Sequence, residues 1–222
     1  MENKTVIKYL SEFITKQRFN KFKQILKNRT NYISVVLEEV FQAHNASAIL
    51  RTCDCFGVQN VYVIKNRNEF KPNPGISMGA AKWLTINFGQ NNPANIQETI
   101  INLKNKGYRI IATTPHKNSI LLNDFDISKG KFALLFGTEL SGLSNEAMAL
   151  ADEFVKIPMY GFTESFNVSV SVGIFLSNTV EKLKKSNIKW QISDSEKEII
   201  LLEWLKNSVK SSEEIINRIN NK

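Results

Sequence analysis

Between residues 32 and 185 the chain alternates short apolar runs with stretches of helical periodicity, and this alternation constrains the fold more than any other feature. Tyr32–Val40 reads as a strand, Val61–Ile64 as a short strand and Trp83–Phe88 as another. Ile110–Thr114 and Phe132–Phe136 are compact apolar runs of the kind buried on both faces of a parallel sheet, and Val155–Met159 is the last strand. Helices are expected from about Ala46 to Phe56, from Ile96 to Asn105 and from about Asn167 to Lys185. Strands alternating with helices imply an α/β fold, a mostly parallel sheet with helices on both faces. Residues 66–75, rich in proline and asparagine, read as a loop.

The two ends follow a different pattern. In Lys4–Lys27, Ile7, Leu10, Phe13 and Ile14 share one helical face, and Phe22, Ile25 and Leu26 continue the spacing. Basic side chains, among them Lys16, Arg18, Lys21 and Lys23, fall between them. One or two amphipathic helices are expected here, docked by the apolar stripe. At the other end, Ser195 with Glu198 and Ser211 with Glu214 each have capping-box spacing and announce two further helices. The expected organisation is a basic helical extension at 1–30, a catalytic domain at 31–187 and a helical extension at 188–222.

Charge separates these regions more sharply than composition does. Residues 1–30 hold eight Lys/Arg against two Glu, whereas residues 31–180 hold twelve basic and twelve acidic residues. Most of the net charge of +8 therefore sits at the N-terminal end. A basic patch joined to a neutral body suits a polyanionic partner. The residues after Met1 form no apolar leader, and no apolar stretch is long enough to cross a bilayer, so a cytoplasmic protein without membrane association is expected. Cys53 and Cys55 stand two apart on an expected helix, where they do not face each other. With only His44 and His116 besides, no zinc site is expected and no metal is called for.

The first strand runs into Phe41-Gln42-Ala43-His44-Asn45 without a glycine. Nicotinamide and flavin enzymes place a glycine-rich turn there, so any nucleotide-like cofactor must bind elsewhere in the sheet. Three polar islands interrupt the apolar scaffold instead. His44–Arg51 (HNASAILR) lies at a strand–helix junction, with Asn45 suited to an N-cap and Arg51 able to pair with Asp54. Phe136–Ser144 (FGTELSGLS) follows a buried strand. There Gly137 and Gly142 allow a tight turn, Glu139 lies at the carboxyl end of a strand, and Ser144 can cap the next helix. Glu164–Ser171 (ESFNVSVS) opens the long C-terminal helix with Ser and Asn, groups suited to an anion or a nucleotide hydroxyl.

In order and spacing, these islands resemble the three motifs of the SpoU–TrmH family of RNA ribose 2′-O-methyltransferases, within the SPOUT superfamily. The likeness covers residues 34–180 and rests on the Asn45/Arg51 pattern, on FGTELSGLS and on SFNVSV. It implies a C-terminal deep trefoil knot in the sheet, flanked by short terminal helices. It also implies S-adenosylmethionine as methyl donor, bound at loops near Thr113, near Gly137–Gly142 and across Ile157–Val168. Thr113, Gly137, Gly142, Ile157, Met159, Phe166 and Val168 are the expected donor-binding positions.

By the same resemblance, Arg51 acts at the reacting 2′-hydroxyl, and Asn45, Glu139, Ser165 and Asn167 position Arg51, the donor and the ribose. The arginine is either general base or phosphate clamp. His44 is expected at a turn outside the catalytic set, and His116 in a loop near the donor. Family members are homodimers through the knot helices, a role that Val168–Leu183 fits. HNASAILRT is similar to the first motif of enzymes that methylate guanosine 18 of the tRNA D-loop, whereas Phe166 replaces their usual Leu. Lys16, Arg18, Lys21 and Lys23 would then contact tRNA phosphates. The alternatives are the same chemistry on ribosomal RNA or another tRNA position, and RNA binding without catalysis.

Overall fold

A computed structural model describes residues 3–40, 42–64, 73–88, 95–115 and 119–220. Along the chain come α1 (Asn3–Ser11), α2 (Lys16–Leu26), β1 (Ile33–Glu38), α3 (Ala43–Phe56), β2 (Asn60–Ile64), α4 (Pro74–Ser77) and β3 (Thr85–Phe88). There follow α5 (Asn95–Asn105), β4 (Arg109–Thr113), β5 (Ile120–Leu121), β6 (Phe132–Phe136), α6 (Asn145–Leu150), β7 (Glu153–Lys156) and α7 (Val168–Lys185). The chain closes with α8 (Asp194–Lys206) and α9 (Ser212–Asn220). Cα proximity divides it into two units, residues 31–190, and residues 1–30 together with 191–222.

In the 31–190 unit seven strands form one sheet in the order β3-β2-β1-β6-β4-β7-β5, and every neighbouring pair is parallel. The apolar runs lie where both faces are covered. Ile33, Val35 and Leu37 of β1, with Phe132, Leu134 and Phe136 of β6, join one buried cluster with Ile49, Leu50 and Cys53 of α3 and Val172, Phe175 and Leu176 of α7. The alternate residues Val36, Ala133, Leu135 and Ile110 turn to the other face and meet Ile100 and Leu103 of α5 and Ala147 of α6. The period-two pattern thus serves two cores at once. Phe136 and Phe175 meet edge to face at 5.5 Å, which ties α7 to the middle of the sheet.

β1 and β6 occupy the centre, and the chain leaves β1 for β2 and β3 on one side and for β4 on the other. A crevice at the carboxyl ends of such strands is where open α/β sheets bind ligands. Three expected boundaries shift. The last strand is Glu153–Lys156, not Val155–Met159. It starts early because Glu153 is paired with Arg109 on β4, and residues 157–160 lie outside regular structure. Trp83 ends a tight turn ahead of β3, and His44 lies within the first turn of α3. His116 and most of the loop expected at 66–75 lie outside the described residues.

In the other unit α1 buries Val6, Ile7 and Leu10, α2 buries Phe22 and Leu26, and α8 buries Ile200, Leu201, Leu202, Trp204 and Leu205. Phe22 packs on Trp204 at 5.6 Å, and the Arg29 guanidinium lies 5.2 Å from the Trp204 ring centre. Phe13 departs from the expected stripe. It follows α1 and is 58 % exposed, because the helix ends at Ser11. The first tail capping box also forms two residues early, on Ser193 and Glu196 rather than Ser195 and Glu198. The bridge Thr30–Gln191 and the bond from Ile192 N to Arg29 O (3.2 Å) bring the chain out at residue 192, so the first available serine starts the helix. Ser211 stands just before α9 with φ at 56°.

Candidate functional site

The carboxyl ends of β1 and β6 and the start of α7 meet in one polar cluster. β6 runs into Gly137, where a Cβ would lie 2.1 Å from the Gly142 carbonyl oxygen, so no larger residue fits without moving backbone. The turn closes by paired bonds, Thr138 N to Gly142 O (3.1 Å) and Gly142 N to Thr138 O (3.0 Å), with Gly142 at φ 69°. This tight loop carries Glu139. Asn167 caps α7, its Oδ1 accepting from Ser169 N at 2.9 Å and Val170 N at 3.4 Å. The cap leaves the Asn167 amide nitrogen free to donate to Glu139 Oε1 (2.6 Å) and Asn45 Oδ1 (3.0 Å).

Asn45 completes the cluster. Its amide donates to Glu139 Oε1 (3.1 Å) and Gln42 Oε1 (3.0 Å), and it is buried to 5 % exposure. The N-cap of α3 is Gln42, so the capping role expected for Asn45 is not the one observed. Asn45 lies inside the helix, and its side chain is drawn across to Glu139 and Asn167. One carboxylate oxygen thus gathers donors from the first and third islands at the N-terminus of an 18-residue helix, where the macrodipole favours an anion.

A second acid anchors the loop from behind. Glu38, the last residue of β1 and buried to 5 % exposure, accepts from Ser144 N (2.8 Å) and Ser144 Oγ (2.6 Å). Burial raises its carboxyl pKa, the two Ser144 bonds oppose that rise, and neighbouring Glu39 and Glu146 add to it. Ser144 also caps α6, accepting from Ala147 N at 3.1 Å. Glu38 therefore fixes the Ser144 end of the 137–144 turn to the sheet. It is not among the residues singled out from the sequence, although an acid inside an otherwise apolar run such as VVLEEV is the signal of a buried, partnered carboxyl.

Three cavities surround the cluster. One, of about 330 Å³ including space open to solvent, lies at the ends of β4 and β7. It is lined by Thr113, Ile157, Met159, Phe166, Ser165 and Phe175, among others, and so unites four expected donor-binding residues with one expected catalytic residue. The Thr113 hydroxyl is engaged by Leu135 O at 2.6 Å. The second cavity, about 650 Å³, is lined by Glu39, Val40, Gln42, Asn45, Glu139 and Val168, among others. The third, about 590 Å³, includes Gly142, Ser144 and both Glu38 and Glu39. Gly137 lines none of these; its part is the turn itself.

Arg51 is exposed on α3 and lines none of the three cavities. It has no ion pair or hydrogen bond among the described residues, so the pairing with Asp54 is not seen. Lys16, Arg18, Lys21 and Lys23 are all exposed on α2, in the other unit. Arg18 reaches Ser208 Oγ at 3.5 Å and lies 5.8 Å from the Phe22 ring centre, while Lys23 sits 4.3 Å from that of Phe19. Among the described residues no group of His, Cys, Asp or Glu could hold a metal ion. No described helix is long and apolar enough to cross a membrane.

The profile of the SpoU rRNA Methylase family matches residues 32–177. The chain is 40 % identical over 211 residues to a tRNA (guanosine(18)-2'-O)-methyltransferase of Borreliella burgdorferi, covering 95 % of this chain and 94 % of that protein. A protein of the same name from Thermus thermophilus is 31 % identical over 194 residues, covering 86 % and 97 %. Among solved structures, the TrmH/SpoU tRNA modifying enzyme of A. aeolicus superposes with a TM-score of 0.79 at 32 % identity, over 88 % of this chain and 98 % of that one.

Proposed function

Because the chain belongs to the SpoU methylase family, we propose that it transfers the methyl group of S-adenosylmethionine to the ribose 2′-hydroxyl of guanosine 18 in the tRNA D-loop. One observation carries this reading. The three polar islands, far apart in the chain, converge on a single oxygen of Glu139 beside a cleft of mixed apolar and hydroxyl lining. Relatives of nearly full mutual coverage bear the name of that reaction.

The cleft at the ends of β4 and β7 fits the donor. Pro115, Ile157, Met159, Phe166 and Phe175 offer apolar and aromatic surface to an adenine and a methionine chain, and Thr114 and Ser165 add hydroxyls. When bound there, S-adenosylmethionine supplies an electrophilic methyl on a positively charged sulfur. Glu139 is held in place by donors on Oε1, and its carboxylate stabilises positive charge nearby. Asn45 and Asn167 hold it in place and orient the ribose. The planar guanidinium of Arg51, with donors only, clamps an RNA phosphate and aligns the hydroxyl, whose proton passes to solvent.

The C-terminal part of the 31–190 unit is threaded as a deep trefoil knot. The supporting observation is that β7 enters between β4 and β5, after which the chain returns to place α7 on the α3 face of the sheet. The enzyme works as a homodimer through α7 and the loops beside it, where Leu140, Tyr160, Phe162 and Val170 are exposed apolar side chains. Lys16, Arg18, Lys21 and Lys23 hold the tRNA by phosphate contacts, and the protein acts in the cytoplasm.

The test is transfer of labelled methyl from S-adenosylmethionine to unmodified tRNA and, separately, to ribosomal RNA, with the modified nucleotide mapped. Label on the 2′-oxygen of guanosine 18 is expected. Label confined to ribosomal RNA would overturn the substrate, and label on neither would overturn the reaction.

A further inference from the structure

We propose that the cavity beside Glu39 receives the base of the target nucleotide and that the Glu39 carboxylate selects guanine by accepting from its Watson–Crick edge. This rests on the ribose 2′-O-methyl transfer proposed above and goes on to the base that transfer acts beside. The cavity, about 650 Å³ including space open to solvent, shares Asn45 and Glu139 with the polar cluster. A ribose held at that cluster would project its base toward Glu39, Val40 and Gln42. Recognition of an RNA base by its Watson–Crick edge requires that the edge be unpaired, and a concave site of this kind is where a base drawn out of its stack is held.

The polar lining matches one base. Guanine presents two adjacent donors, N1–H and the 2-amino group, beside the acceptor O6. The Glu39 side chain accepts no hydrogen bond among the described residues, and so it offers the acceptor that those donors need. The Gln42 amide is oriented by its oxygen, which accepts from Asn45 at 3.0 Å. Its NH₂ is then left to donate, as O6 requires. Adenine carries the opposite pattern, an acceptor at N1 and a donor at the 6-amino position. Against it the carboxylate would face a lone pair and the amide NH₂ a donor. Carboxylates in the wall also disfavour a phosphate here, although the chain as a whole is basic.

The backbone gives independent support. Glu39 sits at φ 56°, in the left-handed region that side chains other than Gly, Asn and Asp seldom occupy. Its N–H donates to Ile64 O at 3.0 Å, so the end of β2 holds it there. A glutamate kept in a conformation that glycine would adopt without strain points to a need for the carboxylate.

The same strain supplies a clean test. Glu39→Gly removes the carboxylate at a position whose backbone glycine accommodates, so relief of the strain offsets the entropy that glycine adds to the unfolded chain and the variant is expected to fold. The full-length protein and Glu39→Gly are compared on tRNA transcripts with guanosine or adenosine at position 18, with kcat/KM measured for each and S-adenosylmethionine affinity measured separately. The expected result is a drop of at least ~10-fold in kcat/KM on the guanosine transcript, with the preference for guanosine over adenosine collapsing and donor affinity unchanged. Wild-type activity with the same preference in Glu39→Gly would overturn the proposal while leaving the transfer reaction standing. No methylation of either transcript by the wild type would remove the reaction itself, and the proposal with it.

Discussion

The two units handle charge in opposite ways. In residues 31–180 acids and bases balance, and the decisive polar side chains are engaged with one another, Glu139 with Asn45 and Asn167, Glu38 with Ser144. In residues 1–30 bases outnumber acids eight to two, and Lys16, Lys21 and Lys23 stand exposed along α2, with Lys27 just past its end. Preorganised groups act through geometry, which one substitution can destroy, whereas exposed charges act through their sum, which salt screens. The first arrangement suits a reaction, and the second suits holding a long polyanion in many near-equivalent ways.

The largest effect is expected at the point of convergence. Glu139→Ala leaves Asn45 and Asn167 without their shared acceptor. It is expected to lower kcat by roughly 10²–10³-fold, the scale of losing one preorganised electrostatic group. Affinity for tRNA, measured by filter binding, is expected to stay within a few-fold of the parent. A fall in tRNA affinity matching the fall in kcat would show that the core does not separate chemistry from binding as its charge pattern suggests.

Much of this division is legible in the sequence. The period-two apolar runs announced the strands because both cores need them, and FGTELSGLS announced a tight loop because only glycine fits at Gly137. Partners that depend on three-dimensional proximity were not legible. Asn45 looks like an N-cap because its residue type favours one; two of its partners lie 94 and 122 residues away. The tail serines offered two overlapping capping boxes, and a bridge at Gln191 chose between them. β5, two residues long, carries too little pattern to be seen at all.

An intermediate effect is expected at Glu38, where the core's polar economy can be titrated. Burial raises its folded-state pKa above the ordinary carboxyl value. The folded protein therefore holds this proton more tightly than the unfolded chain does. The associated stability is fully present below the ordinary carboxyl pKa and is lost as pH rises through the raised one. Glu38→Gln cannot titrate, so the difference in unfolding free energy between parent and variant should change with pH across that window and level off on either side. Urea unfolding at a series of pH values measures it. A difference independent of pH would mean that Glu38 does not hold the 137–144 turn as an ionisable group.

The smallest effect is expected from a single lysine of α2, and its smallness is the informative part. Lys21 is exposed and has no ion pair among the described residues, so Lys21→Ala removes charge and little else. If it meets one tRNA phosphate, the slope of log affinity against log salt should fall by about 1, with kcat unchanged and KM raised only a few-fold at moderate salt. Arg18→Ala should do slightly more, since Arg18 also touches Ser208 and lies near the Phe22 ring. Reversing Lys16, Arg18, Lys21 and Lys23 together should then act nearly as a sum, because exposed charges that share no partner couple weakly. A single lysine that abolished binding would mark α2 as a specific contact surface, built like the core; four reversals without effect would move the RNA off α2 altogether.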